Sequence, residues 1–160
     1  MSTNKIILVD ESEAATHPGE KSRRDRILVV DDDPLTRGQN VGMLIDQGYD
    51  AEEATDGADG WEALRDRHFD LVITDNSMAK MTGVEMIEKF RSSGMTIPVI
   101  MATGTMPHFE FARKPWLRPD VALIIPFSED ELLAAISNVL RKDHDHRGDI
   151  SPDAPKTHQT

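Results

Sequence analysis

Two apolar runs in this chain stop on carboxylates. Leu71-Val72-Ile73-Thr74 leads straight into Asp75, and Ile27-Leu28-Val29-Val30 leads straight into Asp31-Asp32-Asp33. Short runs without polar alternation suit strands buried on both faces, the kind found in parallel sheets covered by helices. If the two strands are adjacent and parallel, their carboxylates meet at one edge of the sheet. Carboxylates crowded in this way repel one another unless a hard divalent cation sits among them, and Mg²⁺ takes oxygen ligands of this kind. A third run, Pro98–Ala102, ends on the hydroxyl of Thr103. A single Asp after a strand is ordinary turn chemistry. Three strand ends with such groups make a pattern.

Strand and helix signals alternate between these landmarks. After Ile27–Val30, Asp33-Pro34 caps a helix, with Pro at the first helical position where its missing N–H costs nothing. That helix is expected to reach about Gln47 with Val41, Leu44 and Ile45 on one face, and to stop at Gly48. A strand at about Tyr49–Ala54 leads through Asp56-Gly57 into a helix bearing Trp61 and Leu64. Phe69–Thr74 is the next strand, and Thr82 with Glu85 opens a helix through Val84, Ile87 and Phe90. Val121–Ile125 reads as the last strand, and Ser128 with Glu131 caps a final helix through Leu132, Leu133, Ile136 and Leu140. Pro107, Pro115 and Pro119 confine any helix between Gly104 and Asp120 to about His108–Lys114. The alternation predicts an α/β fold with a doubly wound parallel sheet, right-handed crossovers and a shortened fourth helix. In such sheets the site lies at the carboxyl ends of the strands.

The flanks differ in composition. Residues 1–25 read as a polar tail, 26–142 as the folded domain, and 143–160 as a disordered C-terminal tail. Lys5-Ile6-Ile7-Leu8-Val9-Asp10-Glu11 echoes the first core strand and is read as a coincidental apolar stretch, the alternative being a segment docked on a sheet edge. His144-Asp145-His146 is read as solvated tail rather than metal site, and Arg147-Gly148-Asp149 as chance. A net charge of −11 argues against a nucleic-acid surface. No run is long enough to span a membrane and no secretory signal stands at the start, so the expectation is a cytoplasmic protein. With no cysteine, disulfides and thiolate metal sites are excluded.

Over about residues 26–141 the pattern resembles the receiver domain of bacterial two-component response regulators. Val29-Val30-Asp31-Asp32-Asp33-Pro34 looks like that family's acidic pocket, and Asp75-Asn76-Ser77-Met78 with Met81-Thr82-Gly83 like its phosphoacceptor segment. Ile100-Met101-Ala102-Thr103-Gly104 resembles the strand presenting a hydroxyl, and Pro126-Phe127 the Lys-Pro-Phe element. The resemblance implies a flavodoxin-like five-stranded sheet of order 2-1-3-4-5. It also implies a signalling module, not an enzyme. Asp75 would accept a phosphoryl group from a sensor histidine kinase or phosphotransfer protein. Asp31, Asp32, Asp75 and the Ser77 backbone carbonyl would hold Mg²⁺, and the Thr103 hydroxyl would contact the phosphoryl group. Ser77 and Thr105 occupy the positions that tune phosphoryl lifetime in the family. Asp33 is expected only to cap its helix.

Two positions depart from the family. Ile125 stands where its lysine precedes the proline, and Ala122 where its switch aromatic sits. Three carboxylates with one Mg²⁺ already sum to −1, and an arriving phosphoryl group adds negative charge that an isoleucine cannot offset. Lys80 and Lys114 are the candidates to stand in. The leading expectation is a stand-alone receiver acting on an unknown downstream protein, since no output domain fits after residue 141. The first rival is a degenerate pseudo-receiver that binds partners without phosphate. The second is a haloacid-dehalogenase-like phosphatase, whose Asp-x-Asp motif Asp31-x-Asp33 imitates without the hydroxyl residue that should follow at Leu35. For the pseudo-receiver, the expected partner face is the Gly104–Asp120 segment with the last helix, where Trp116 is either a partner anchor or a ring packed back over the sheet's edge.

Overall fold

The computed structural model describes residues 23–148. Its elements follow in strict alternation: β1 (Arg26–Val30), α1 (Pro34–Asp46), β2 (Asp50–Ala54), α2 (Gly57–Asp66), β3 (Leu71–Thr74), α3 (Gly83–Ser92), β4 (Val99–Thr103), α4 (His108–Arg113), β5 (Val121–Ile124) and α5 (Glu129–Gly148). The strands form one parallel sheet of order β2-β1-β3-β4-β5. This is the doubly wound, flavodoxin-like topology implied by the family resemblance. Among the described residues no helix is long and apolar enough to cross a membrane.

The continuous apolar runs have their expected cause. β1, β3 and β4 lie inside the sheet, and residues 27–30, 71–74 and 99–103 are all buried. Because successive side chains point to opposite faces, each strand feeds two cores. Leu28, Val30, Val72 and Met101 pack with Leu64, Met86, Ile87 and Phe90 under α2 and α3. Ile27, Val29, Leu71, Ile73 and Ile100 pack with Leu44, Leu132, Ile136 and Leu140 under α1 and α5. The edge strands β2 and β5 have mixed exposure, as strands with one neighbour do.

Local signals set most helix ends. Asp33 accepts hydrogen bonds from the amides of Leu35 and Thr36 ahead of Pro34. Thr82 accepts from the Glu85 amide at 3.1 Å. Ser128 and Glu131 cap reciprocally, each side chain taking the other's amide, at 3.1 and 2.6 Å. The fourth helix is six residues long, within the limits the prolines impose. Beyond it a single 3₁₀ turn at Pro115–Leu117 buries Leu117, which packs with Phe111 in the α2/α3 core.

Three expectations need correction. Ile45 does not share the buried face of Leu44; it is 55% exposed. The last helix does not end near Lys142 but runs to Gly148, so Asp143–Gly148 are helical. Long-range contacts accompany that extension: His144 Nε2 lies 3.0 Å from Asp25 Oδ1, and Arg147 lies 3.6 Å from Asp70; within the helix Arg147 also pairs with Asp143 at 2.8 Å. Arg23, assigned to the polar tail, donates to Asp70 at 3.1 and 3.2 Å. The Lys5–Glu11 echo and residues 149–160 lie outside the described residues.

Candidate functional site

The order of the strands reverses at β1, whose neighbours β2 and β3 are reached on opposite sides. Ligands of doubly wound sheets bind at this switch point, beyond the carboxyl ends of the strands. Val30 pairs with Thr74, so the residues that follow, Asp31 and Asp75, leave the sheet side by side. The Asp75 amide still bonds the Val30 carbonyl at 3.1 Å. One carboxylate oxygen from each of Asp31, Asp32 and Asp75 lies within 4.8 Å of the others.

The electrostatics of this cluster are one-sided. Burial pushes the Asp31 carboxyl above its ordinary range; the Asp33 amide pulls it down, and the charges of Asp75, Asp32 and Asp33 raise it again. The Asp75 carboxylate accepts from its own loop, from the Asn76 amide at 2.6 Å and more weakly from the Ser77 amide at 3.4 Å. Neither candidate lysine is spent on the cluster. Lys80 Nζ lies 3.4 Å from Asp56, and Lys114 pairs with Glu88. Three clustered carboxylate oxygens suit a hard divalent ion such as Mg²⁺. Asp33 faces its own helix, bonded to Leu35, Thr36 and the Thr36 hydroxyl.

The other candidate residues take up distinct places. Thr103 ends β4 and is buried; its hydroxyl donates to the Thr105 carbonyl at 3.2 Å and accepts from the Thr105 amide at 3.4 Å, so it is turned into its own loop. Ser77 is exposed in the loop after β3. Ile125 continues past β5, its amide bonding the Thr103 carbonyl at 3.0 Å, with its side chain 46% exposed. Ala122 is exposed on β5.

Residues to which sequence reasoning gave no role of their own also shape the loops that carry Asp75 and Asp31. A Cβ on Gly83 would stand 2.3 Å from the Asp75 carbonyl oxygen, so only glycine lets α3 start that close. The Asn76 side chain accepts the Val84 amide at 3.1 Å, closing the loop onto α3. Arg37 donates to the Asp31 carbonyl at 2.8 Å, steadying the acidic turn from α1.

A family model described as the response regulator receiver domain matches residues 27–137. The chain belongs to the response regulator receiver family. This receiver is 32% identical over 111 residues to the transcriptional regulatory protein DltR of Streptococcus agalactiae, covering 69% of this chain and 50% of DltR. It is 32% identical over 127 residues to the response regulator MprA of a Mycobacterium species, covering 79% of this chain and 55% of MprA. The chain therefore spans about half the length of the curated relatives it matches. Among solved structures, a CheY-like receiver domain protein from Methanospirillum hungatei matches with a TM-score of 0.73 at 25% identity, over 78% of this chain and 99% of that one. The response regulator TrrA of Thermotoga maritima, solved in complex with Mg²⁺ and BeF, matches with a TM-score of 0.64 at 28% identity, over 72% and 98%. Receivers are in general signalling modules of two-component systems.

Proposed function

We propose that this receiver takes a phosphoryl group onto Asp75 from the phosphohistidine of a sensor histidine kinase or phosphotransfer protein, and passes the signal on by protein–protein contact. The observation that carries this reading is the Asp31–Asp32–Asp75 cluster at the switch point, whose three carboxylates each offer an oxygen within 4.8 Å of the others. An Asp75 oxygen would attack phosphorus in line as the bond to the histidine nitrogen breaks. The nitrogen keeps the electron pair and later takes a proton, leaving an acyl phosphate. Such transfers need placement and positive charge against the phosphoryl oxygens, and little else. Asp31, Asp32, Asp75 and the Ser77 carbonyl are the groups that would hold Mg²⁺, which when bound supplies that charge; TrrA, a relative solved with Mg²⁺ and BeF, supports the assignment. The Thr103 hydroxyl would have to leave Thr105 to meet a phosphoryl oxygen.

One observation favours a second reading. With Ile125 in the lysine position, Lys80 and Lys114 paired elsewhere, and Arg37 bonded to Glu53 and to the Asp31 carbonyl, no ion pair among the described residues puts a cation on the cluster's carboxylates. A pseudo-receiver signalling without phosphate would need none. The exposed Phe109, Trp116 and Ile124 would then be the first surface to test for a partner. The phosphatase reading falls away with the receiver match over residues 27–137, and Asp33, which its motif needs in the site, caps α1 instead.

Intact mass after incubation with acetyl phosphate, with and without Mg²⁺, separates the readings. A Mg²⁺-dependent phosphoryl adduct that is lost in Asp75→Asn supports the first. No adduct in wild type, and none in Ile125→Lys, supports the second.

A further inference from the structure

The loop between β3 and α3, which carries Ser77, is braced from an unexpected side. At its middle the Met81 amide bonds the Ala79 carbonyl at 2.7 Å, a three-residue turn with Lys80 at its centre. Lys80 has φ +64°, the one non-glycine residue with positive φ among the described residues. Backbone of that kind is strained for a residue with a Cβ and persists only where its surroundings hold it. The surroundings here belong to the corner between β2 and α2. Lys80 Nζ reaches 3.4 Å from Asp56, a carboxylate otherwise buried at the start of α2. Beside it, a Cβ on Gly57 would stand 2.4 Å from the Met81 carbonyl oxygen, so the first residue of α2 abuts the loop directly. The Asp56 carboxyl also accepts the Asp59 amide at 2.9 Å, which with the Lys80 ammonium holds it below the ordinary carboxylate range. Asp56 thus joins the helix to the loop.

We propose that Asp56 and Lys80 are positioning residues for the acidic site, fixing the loop so that the Ser77 carbonyl faces the Asp31–Asp32–Asp75 cluster. The proposal rests on the reading of that cluster as a Mg²⁺ site, and it adds a coupling between cation affinity and a contact on another loop. Lys80 takes the strained angle because its side chain finds Asp56 from there; glycine would adopt the angle freely but would have nothing to hold it.

Three variants of the full chain test this. Lys80→Gly keeps the backbone angle and removes the ion pair. Asp56→Asn keeps a helix-capping side chain and removes the charge. Lys80→Arg keeps the charge. Mg²⁺ affinity by titration calorimetry should fall about tenfold in the first two, the low end of the loss seen when groups supporting metal ligands are removed. The double variant should be no weaker than the worse single one, and Lys80→Arg should stay near wild type. Amide hydrogen exchange at Ser77 and Met78, measured without metal, should speed up in the same two variants. Wild-type affinity and exchange in both, or losses that add in the double variant, would overturn the proposal. A wild-type chain that binds no Mg²⁺ would instead remove the metal reading, and the exchange data alone would then decide whether Asp56 and Lys80 brace the loop.

Discussion

At the amino end of the sheet, the buried Asp70 carboxylate accepts from the Arg26 amide at 2.8 Å and from Arg23, with His68 at 3.2 Å and Arg147 at 3.6 Å. At the carboxyl end, Asp31, Asp32 and Asp75 crowd together, and among the described residues the donors to Asp31 and Asp75 are amides of their own loops. Both places put carboxylates at the ends of the same neighbouring strands: Asp70 just before β3, Asp31 and Asp32 just after β1, and Asp75 just after β3. Burial works to raise Asp70, yet the Arg26 amide, His68 and Arg23 together hold it below its ordinary value, whereas Asp31 is held above its own. A carboxylate that the fold has matched with donors is part of the fold's stability. One surrounded by its own kind costs stability, a cost that the proposed Mg²⁺ would offset. The contrast separates structure from function within one sheet without reference to any relative.

If the contrast is sound, Asp70→Ala should be the most damaging single change considered. It leaves the Arg26 amide and a group of cations without their acceptor, which should cost about 2–4 kcal/mol in urea unfolding. A loss below about 0.5 kcal/mol would mean that the amino-end node is only surface pairing. Next in size is Ile125→Lys, which puts a cation beside the unmatched cluster. It should speed phosphorylation of Asp75 by acetyl phosphate about a hundredfold, the order of effect of one well-placed electrostatic group. An unchanged rate would show that charge is not what the site lacks.

Asp32→Asn tests both halves at once. Mg²⁺ affinity should drop about tenfold or more, while metal-free stability should stay level or rise by up to about 1 kcal/mol as repulsion is relieved. Equal Mg²⁺ binding in the two proteins would show that Asp32 does not hold the ion. The smallest effect is on pH dependence. Because the folded Asp70 carboxyl sits below its ordinary 3.8, its contribution is fully present above that pH and drains away as pH falls further. Urea midpoints followed from about pH 6 to pH 3 should therefore fall less steeply in Asp70→Asn than in wild type. Parallel curves would place the acid sensitivity elsewhere.

What could be read along the chain was local. Unbroken apolar runs at Ile27–Val30 and Leu71–Thr74 meant strands buried on both faces, and Asp33, Thr82 and Ser128 marked helix starts, because periodicity and capping act within four residues. Asp31, Asp32 and Asp75 could be singled out because strands of a parallel sheet all end on one side, so acidic strand ends converge whatever the details. Three-dimensional packing decided the rest, and each instance joins groups far apart in sequence. Asp70 fell unremarked inside the expected strand Phe69–Thr74, and only the fold sets it against Arg23 and Arg147. The histidine-rich stretch after Lys142 looked like a tail, and contacts to Asp25 and Asp70 accompany its helix. Lys80 looked free to serve the acidic cluster, and Asp56, 24 positions earlier, holds it elsewhere. A charged side chain chooses its partner by distance through space, and that distance exists only once the sheet has closed.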